Sequence, residues 1–425
     1  MDLLLKNTTY VDWQDLSFHQ TNLLVKGDNI SPALTIIDEL KDTPANVETI
    51  DCQGMLVMRS FAIGHHHVYS ALSRGMNPPP KAPQNFHENL QYVWWRLDKA
   101  LDRDLIRASA LATAMACAKS GVTFVIDHHA SPNAIAGSLS VIAEAFDEVG
   151  VGHLLCYEIT DRDGLDKAAA GLQETTDYLA KHQGLVGLHA SFTVGDDTMR
   201  RAAELMRQSH SGVHIHVAED PIDQKLCEER HQKRVVQRLA DFGLLESSKT
   251  ILGHCLHLDD SEKQLVRESP AWVVENIESN LNNNVGFFDG EKLGSNIFLG
   301  TDGMHSEILR SAQTAFFAGK HNDHLTMAGA WQRLRNVHRY LNENNFYGDG
   351  DNNLVVLDYD AASPITPENF LAHFLFGFRE RHVRHVIANG KLIVRDRQLQ
   401  TVDEQEVLKF TRQQSLRLWE RMGKY

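Results

Sequence analysis

Cysteine is scarce in this chain. Five residues, Cys52, Cys117, Cys156, Cys227 and Cys255, lie far apart, and no two make a Cys-x-x-Cys pair. That spacing excludes a disulfide framework or a structural zinc knot and points to a reducing compartment. Long apolar runs are missing as well: no stretch reaches the roughly 18 uninterrupted apolar residues of a membrane span. The opening MDLLLKNTTYVDW has no basic region leading into an apolar core and a cleavage site, so a cytoplasmic location is expected. Positive charge is in deficit, with 42 Lys and Arg against 56 Asp and Glu and a net charge of −14. Neither a nucleic acid nor a membrane is therefore an expected partner. Low-complexity and collagen-like patterns are absent too.

What is present is an ordinary globular composition, 42% hydrophobic and 23% charged over 425 residues, with one excess: 23 histidines. Such a chain is long enough to bury a large core. Both ends read as short strands broken by turns. At the front these are 3–11, 22–26 with a Gly27-Asp28-Asn29 turn, and 47–57; at the back, 354–358 and 383–394 with an Asn389-Gly390 hairpin signal. The middle alternates apolar runs with amphipathic stretches such as 105–119 and 234–242. The runs are 61–67, 121–128, 152–158, 184–191, 212–218, 250–254, 271–276 and 296–302. After a long first gap their ends fall about 22 to 36 residues apart, the length of a strand, a helix and two short loops. Eight such units predict an α/β fold, a (β/α)8 TIM-like barrel spanning 59–351. The first gap holds Asn77-Pro78-Pro79-Pro80 and Tyr92-Val93-Trp94-Trp95 and is read as a loop and helix over the barrel mouth.

Barrel enzymes place their chemistry at the carboxyl ends of strands. His65 and His67 stand two apart on the first run, so both side chains project from one face while His66 points away. The fifth run carries His214 and His216 with Glu219 just beyond, the sixth ends in His254, and the eighth in Asp302. Three imidazoles and a carboxylate can hold one divalent ion and leave a position for water. The ion lowers the pKa of that water from about 15.7 towards 7. Glu219 suits a proton shuttle, Asp302 would hold the attacking water or take its proton, and His254 would orient that water or polarise the substrate.

These residues resemble the amidohydrolase superfamily, in its deaminase and chlorohydrolase branch. The resemblance rests on the 65–75 segment, Trp94-Trp95-Arg96-Leu97-Asp98, Asp127-His128-His129-Ala130-Ser131-Pro132, His189-Ala190-Ser191-Phe192-Thr193-Val194, His214-Ile215-His216 with Glu219-Asp220, Ser279-Asn280-Leu281-Asn282-Asn283 and Gly300-Thr301-Asp302-Gly303. It implies metal ligands His65, His67, His216 and Asp302, a proton-shuttling Glu219, and His254 beside the water. It implies one zinc or iron per subunit and a homodimer. It also implies a small β-sandwich built from both chain ends, here 1–58 with 352–425 and a C-terminal helix. Three departures stand out: Arg59-Ser60 replaces a usual Pro-Gly, the 346–354 segment is short, and Glu278 replaces an Arg and should alter substrate charge preference. No lysine lies on the fourth run to bridge a second metal.

The expected reaction is hydrolytic deamination of a nitrogen-containing heterocycle through metal-activated water. Hydrolysis of a C–Cl or cyclic amide C–N bond at the same single metal is the alternative, and a non-catalytic metal-binding barrel is the alternative of another class. Candidate substrate contacts are Arg74, Trp95, His129, His189, His257, Asn280 and His305. His214 is read as a buried, hydrogen-bonded histidine.

Overall fold

Eight parallel strands occupy the predicted runs: Phe61–His66, Val122–His129, Gly152–Tyr157, Val186–Ala190, Val213–Val217, Ile251–His254, Trp272–Glu275 and Ile297–Leu299. They are called the first to eighth strands below. The computed structural model describes residues 2–27, 33–39 and 47–425. The first three strands pair as one sheet and the last five as another. Bridges Leu155↔Gly184 and Ile159↔Leu188 join the sheets at one seam, and His66↔Asp302 joins them at the other. At that second seam Thr301 N donates to His65 O at 3.0 Å. Gly64 makes the close approach there possible, because a Cβ would collide with the Phe298 ring and the Leu299 carbonyl.

The strands are continuous apolar runs because helices cover their outer face and side chains fill the inside. Polar residues start the helices. Asp102 caps Arg103–Lys119 through Leu105 N, and Asp259 and Glu262 form a reciprocal capping box at Asp260–Glu268. Asp220 caps Pro221–His231, with Pro221 in the first turn, where its missing N–H costs nothing. The amino-terminal end of the barrel is plugged by Phe124, Leu154, Trp272 and Phe298 together with Tyr340 from helix Met327–Glu343. Trp272 stacks on Phe298 with centroids 5.6 Å apart. The opposite end is open, and the chemistry lies there.

The two chain ends contribute to one hydrogen-bonded sheet of nine strands. Strand Leu354–Leu357 pairs antiparallel with Leu56–Arg59, which runs parallel to Leu3–Val11. The 47–57 run is two strands, Glu48–Asp51 and Leu56–Arg59, because Gly54 turns the chain between them at φ 77°. At the Asn389-Gly390 turn both residues have positive φ, 48° and 72°, as a two-residue type I′ hairpin requires. Most of the Gly27-Asp28-Asn29 turn lies outside the described residues. The unusual Arg59 and the short 346–354 segment meet: Arg59 pairs with Asp349 at 3.0 Å and with Asp351 at 2.6 Å. Buried His338 also holds Asp349, at 2.8 Å.

The segment after the first strand crosses the barrel mouth as a helical stretch, 86–100, with a widened turn at Leu90–Trp94. Helix Glu404–Met422 clamps it from outside. Trp419 Nε1 donates to Leu72 O at 2.8 Å, and Arg421 Nε to Ala100 O at 2.6 Å. Among the described residues no helix is long and apolar enough to cross a membrane. All five cysteines are free and buried.

Candidate active site and metal centre

Backbone geometry at the strand ends sets the site. Ala218, His254, Cys255 and Asp302 all lie in the left-handed region, with φ of 46°, 67°, 54° and 52°. Non-glycine residues there cost about 1 to 3 kcal/mol each, so the surrounding packing must impose these turns. They fall where the fifth, sixth and eighth strands end, beside Glu219, at His254 and at Asp302.

His65, His67, His216 and Asp302 come together. Asp302 Oδ1 lies 3.1 Å from His67 Nε2 and 3.4 Å from His65 Nε2. His67 Nε2 lies 3.1 Å from His216 Nε2. The opposite ring nitrogens are all engaged. His67 Nδ1 donates to His128 O at 2.7 Å, and His216 Nδ1 to His189 O at 2.8 Å. His65 Nδ1 meets His214 Nε2 at 2.8 Å, which makes His214 a support for His65. These contacts turn every Nε2 towards one point, the outer-shell arrangement of metal-binding imidazoles. Two acceptor nitrogens 3.1 Å apart repel unless a cation or a proton lies between them. His65 Nε2 is buried and has no hydrogen-bond partner among the described residues. The donor set therefore fits one divalent ion.

The titration behaviour agrees with that crowding. Burial pulls His65 down to about 3 and holds His216 well below its ordinary value. Burial also pulls on His67, but hydrogen bonding and charge from Asp302 prevail and raise it to about 9. Asp302 is the counterpart: burial opposes its ionisation, yet His65 and His67 keep it well below the carboxylate range.

Glu219 and His254 flank this cluster. His254 Nε2 lies 3.5 Å from Glu219 Oε2 and 3.9 Å from Asp302 Oδ2. Asn280 Oδ1 accepts from His254 Nδ1 at 2.7 Å and so fixes the ring. Glu219 also takes a long bond of 3.5 Å from Asn283 Nδ2. Burial pushes Glu219 up to about 7, with His254 opposing and Asp302 adding. A carboxyl poised near neutrality can both give and take a proton.

A cavity of about 820 Å3, open to solvent, leads to these residues. Trp95 and His189 line it, as do Trp94, Phe86, Phe192 and Tyr69. The other expected substrate contacts lie elsewhere. Arg74 is exposed and reaches Met304 O at 3.4 Å. His129 turns outward to Ser131 Oγ at 2.9 Å, whereas His128 joins the inner cluster, its ring 4.7 Å from that of His216. Asn280 is taken by His254. His257 Nε2 binds Val285 O at 2.8 Å, and His305 binds Glu278 at 2.5 Å. Glu278 is further held by Arg310 and Ser311 and does not line the cavity, so its expected effect on substrate charge is lost. Sequence reasoning missed Asp98, Glu158 and Arg162, all on the cavity wall. Glu158 closes the third apolar run, and its position at a strand end was the available signal.

A sequence model of the Amidohydrolase family matches residues 64–353. The chain belongs to the amidohydrolase family. This amidohydrolase is 26% identical over 436 residues to a 5-methylthioadenosine/S-adenosylhomocysteine deaminase of Pyrococcus abyssi, covering 96% of this chain and 97% of that one. It is also 26% identical over 382 residues to a 5'-deoxyadenosine deaminase of Methanopyrus kandleri, covering 83% and 84%. Among solved structures it resembles an adenosine deaminase from Xanthomonas campestris with bound zinc. The TM-score is 0.84 at 20% identity, and 98% of each chain is covered. A zinc complex of atrazine chlorohydrolase from Arthrobacter aurescens gives a TM-score of 0.82 at 15% identity, covering 97% and 100%. The amidohydrolase is accordingly a hydrolase built on the barrel described above.

Proposed function

We propose that this protein is a metal-dependent aminohydrolase that releases ammonia from an amine-bearing, nitrogen-containing heterocycle. The observation that carries the reading is Glu219, poised near neutrality within reach of His254 and beside the cluster of His65, His67, His216 and Asp302. Those four residues would hold one zinc or iron ion, which supplies Lewis acidity and lets water act as a nucleophile at neutral pH. A flat ring enters between the aromatic walls at Trp95 and Phe192. Asp302 accepts a proton from the attacking water, and His254, steadied by Asn280, orients it. Glu219 delivers its proton to a ring nitrogen. The proton taken up by Asp302 then passes to the departing amine, and the added hydroxyl returns a proton to Glu219 as the ring carbonyl forms and ammonia leaves. The named activities of the curated relatives, deamination of adenosine derivatives, point the same way.

The reading extends to organisation: residues 1–58 and 352–425 act as one composite domain around a 59–351 catalytic barrel, in a cytoplasmic homodimer. Metal analysis coupled to an ammonia-release screen over heterocyclic amines tests the function. About one metal per chain and ammonia release that disappears in Glu219→Gln are expected. Two metals, ring opening without ammonia, or chloride release alone would replace the reading with its hydrolytic alternatives. Absence of metal binding would overturn the site.

A further inference from the structure

Beyond His216 the cavity wall changes character. Glu158 has a carboxylate oxygen within 4.8 Å of ring nitrogens of both His189 and His216. Arg162 Nη1 donates to Glu158 Oε1 at 2.6 Å, and His128 Nδ1 lies 3.3 Å from its other oxygen. The other two nitrogens of Arg162 are also engaged, Nη2 by Asp98 Oδ2 and Nε by Asp163 Oδ2 at 3.2 Å. Lys99 closes the group on Asp163 at 3.1 Å. Three carboxylates thus face two cations, leaving one negative charge in excess. One acceptor is unpaired: Asp98 Oδ1 is buried and has no hydrogen-bond partner among the described residues, and only 2% of the Asp98 side chain is exposed. Asp98 lines the cavity. Burial pushes its carboxyl up to about 7 against the pull of Arg162, with Glu158 and Asp163 adding.

We propose that Asp98 Oδ1 and the wall around it form a subsite for a protonated amine carried by the substrate away from its reacting ring. The subsite rests on the aminohydrolase reading for the ring end of the ligand only. A carboxylate or phosphate arm meets an Arg162 whose three nitrogens each already pair with a carboxylate, and it also faces Asp98 and Glu158. A hydroxyl arm satisfies Oδ1 but leaves the excess charge. An ammonium group does both, and the adjacent Trp95, over which Arg162 already sits at 5.3 Å, offers a second aromatic face to a cation.

Four probes sharing one ring test this on full-length, zinc-loaded protein: 9-methyladenine and its 9-(2-aminoethyl), 9-(2-hydroxyethyl) and 9-carboxymethyl counterparts. Binding is measured by calorimetry at neutral pH and ammonia release in parallel. The aminoethyl compound is expected to bind at least tenfold tighter than 9-methyladenine, and the carboxymethyl compound most weakly. Asp98→Asn should cut the amine's advantage over 9-methyladenine to below threefold. The wild-type order tests the subsite even if that variant does not fold, and Trp95→Leu should reduce the same advantage several-fold. Equal binding of the four, no binding of the amine, or an unchanged advantage in Asp98→Asn overturns the subsite. Amine preference without ammonia from any probe keeps the subsite and overturns deamination of this ring class; ammonia release with equal binding does the reverse.

Discussion

The two walls of the cavity hold their functional groups by opposite means. On the ion side, His67 and His216 are anchored through Nδ1 to main-chain carbonyls of the second and fourth strands. On the adjoining wall, Glu158, Arg162 and Asp98 are held by one another, side chain to side chain. The first arrangement fixes each ring through its Nδ1 and aims its Nε2 at a common point. The second places buried charges whose balance depends on every member. Main-chain anchoring suits the chemistry that the fold must keep constant, and a charge network suits recognition that can be retuned.

The contrast can be broken at graded cost. Glu219→Gln should lower the turnover of ammonia release by about 10² to 10⁴, the usual worth of a general acid–base, while metal content stays near the wild-type value. Loss of the metal instead would make Glu219 part of the ion side. Arg162→Met leaves Asp98 and Glu158 buried without their partner and should cost about 3 to 5 kcal/mol of stability in denaturant melts. Bound metal should be unchanged in whatever fraction folds. Stability within about 1 kcal/mol of wild type would show that the network is not held together by charge. Asn280→Ala frees the His254 ring and should lower kcat by about 10- to 100-fold, with little effect on KM. A change confined to KM would return Asn280 to substrate binding. Arg74→Ala, at an exposed site beyond the cavity, should alter kcat/KM by less than about twofold.

How much of this could be read from the sequence divides along the same line. The eight strands were legible because each is a buried apolar run at a regular interval, and His65, His67, His216 and Asp302 fall at strand ends where spacing alone suggests convergence. Alternation says that one of His128 and His129 faces inward. Which one depends on the phase of the second strand, and its pairing with the first is irregular, with two register shifts. The Asp98–Arg162 pair spans 64 residues of sequence, and no local pattern announces a partner at that distance. Asn280, His257 and His305 were misread for a common reason. His257 and His305 sit in loops after strands and Asn280 in the short helix Ile277–Asn282 after the seventh, where polar side chains are first claimed by neighbouring polar groups. The histidine excess is thus partly scaffold: His67, His189 and His216 line the cavity, whereas His214 supports His65 and His129 is bound to Ser131.

His189 plays two separable parts. Its ring faces the cavity, but its carbonyl is what orients His216, and any residue at that position would supply the same carbonyl. The carbonyl of His128 orients His67 in the same way. Side chains along this wall can therefore be exchanged over evolutionary time without detuning the ion cradle behind them. One chemistry can be carried from ring to ring while the protein changes only what it recognises.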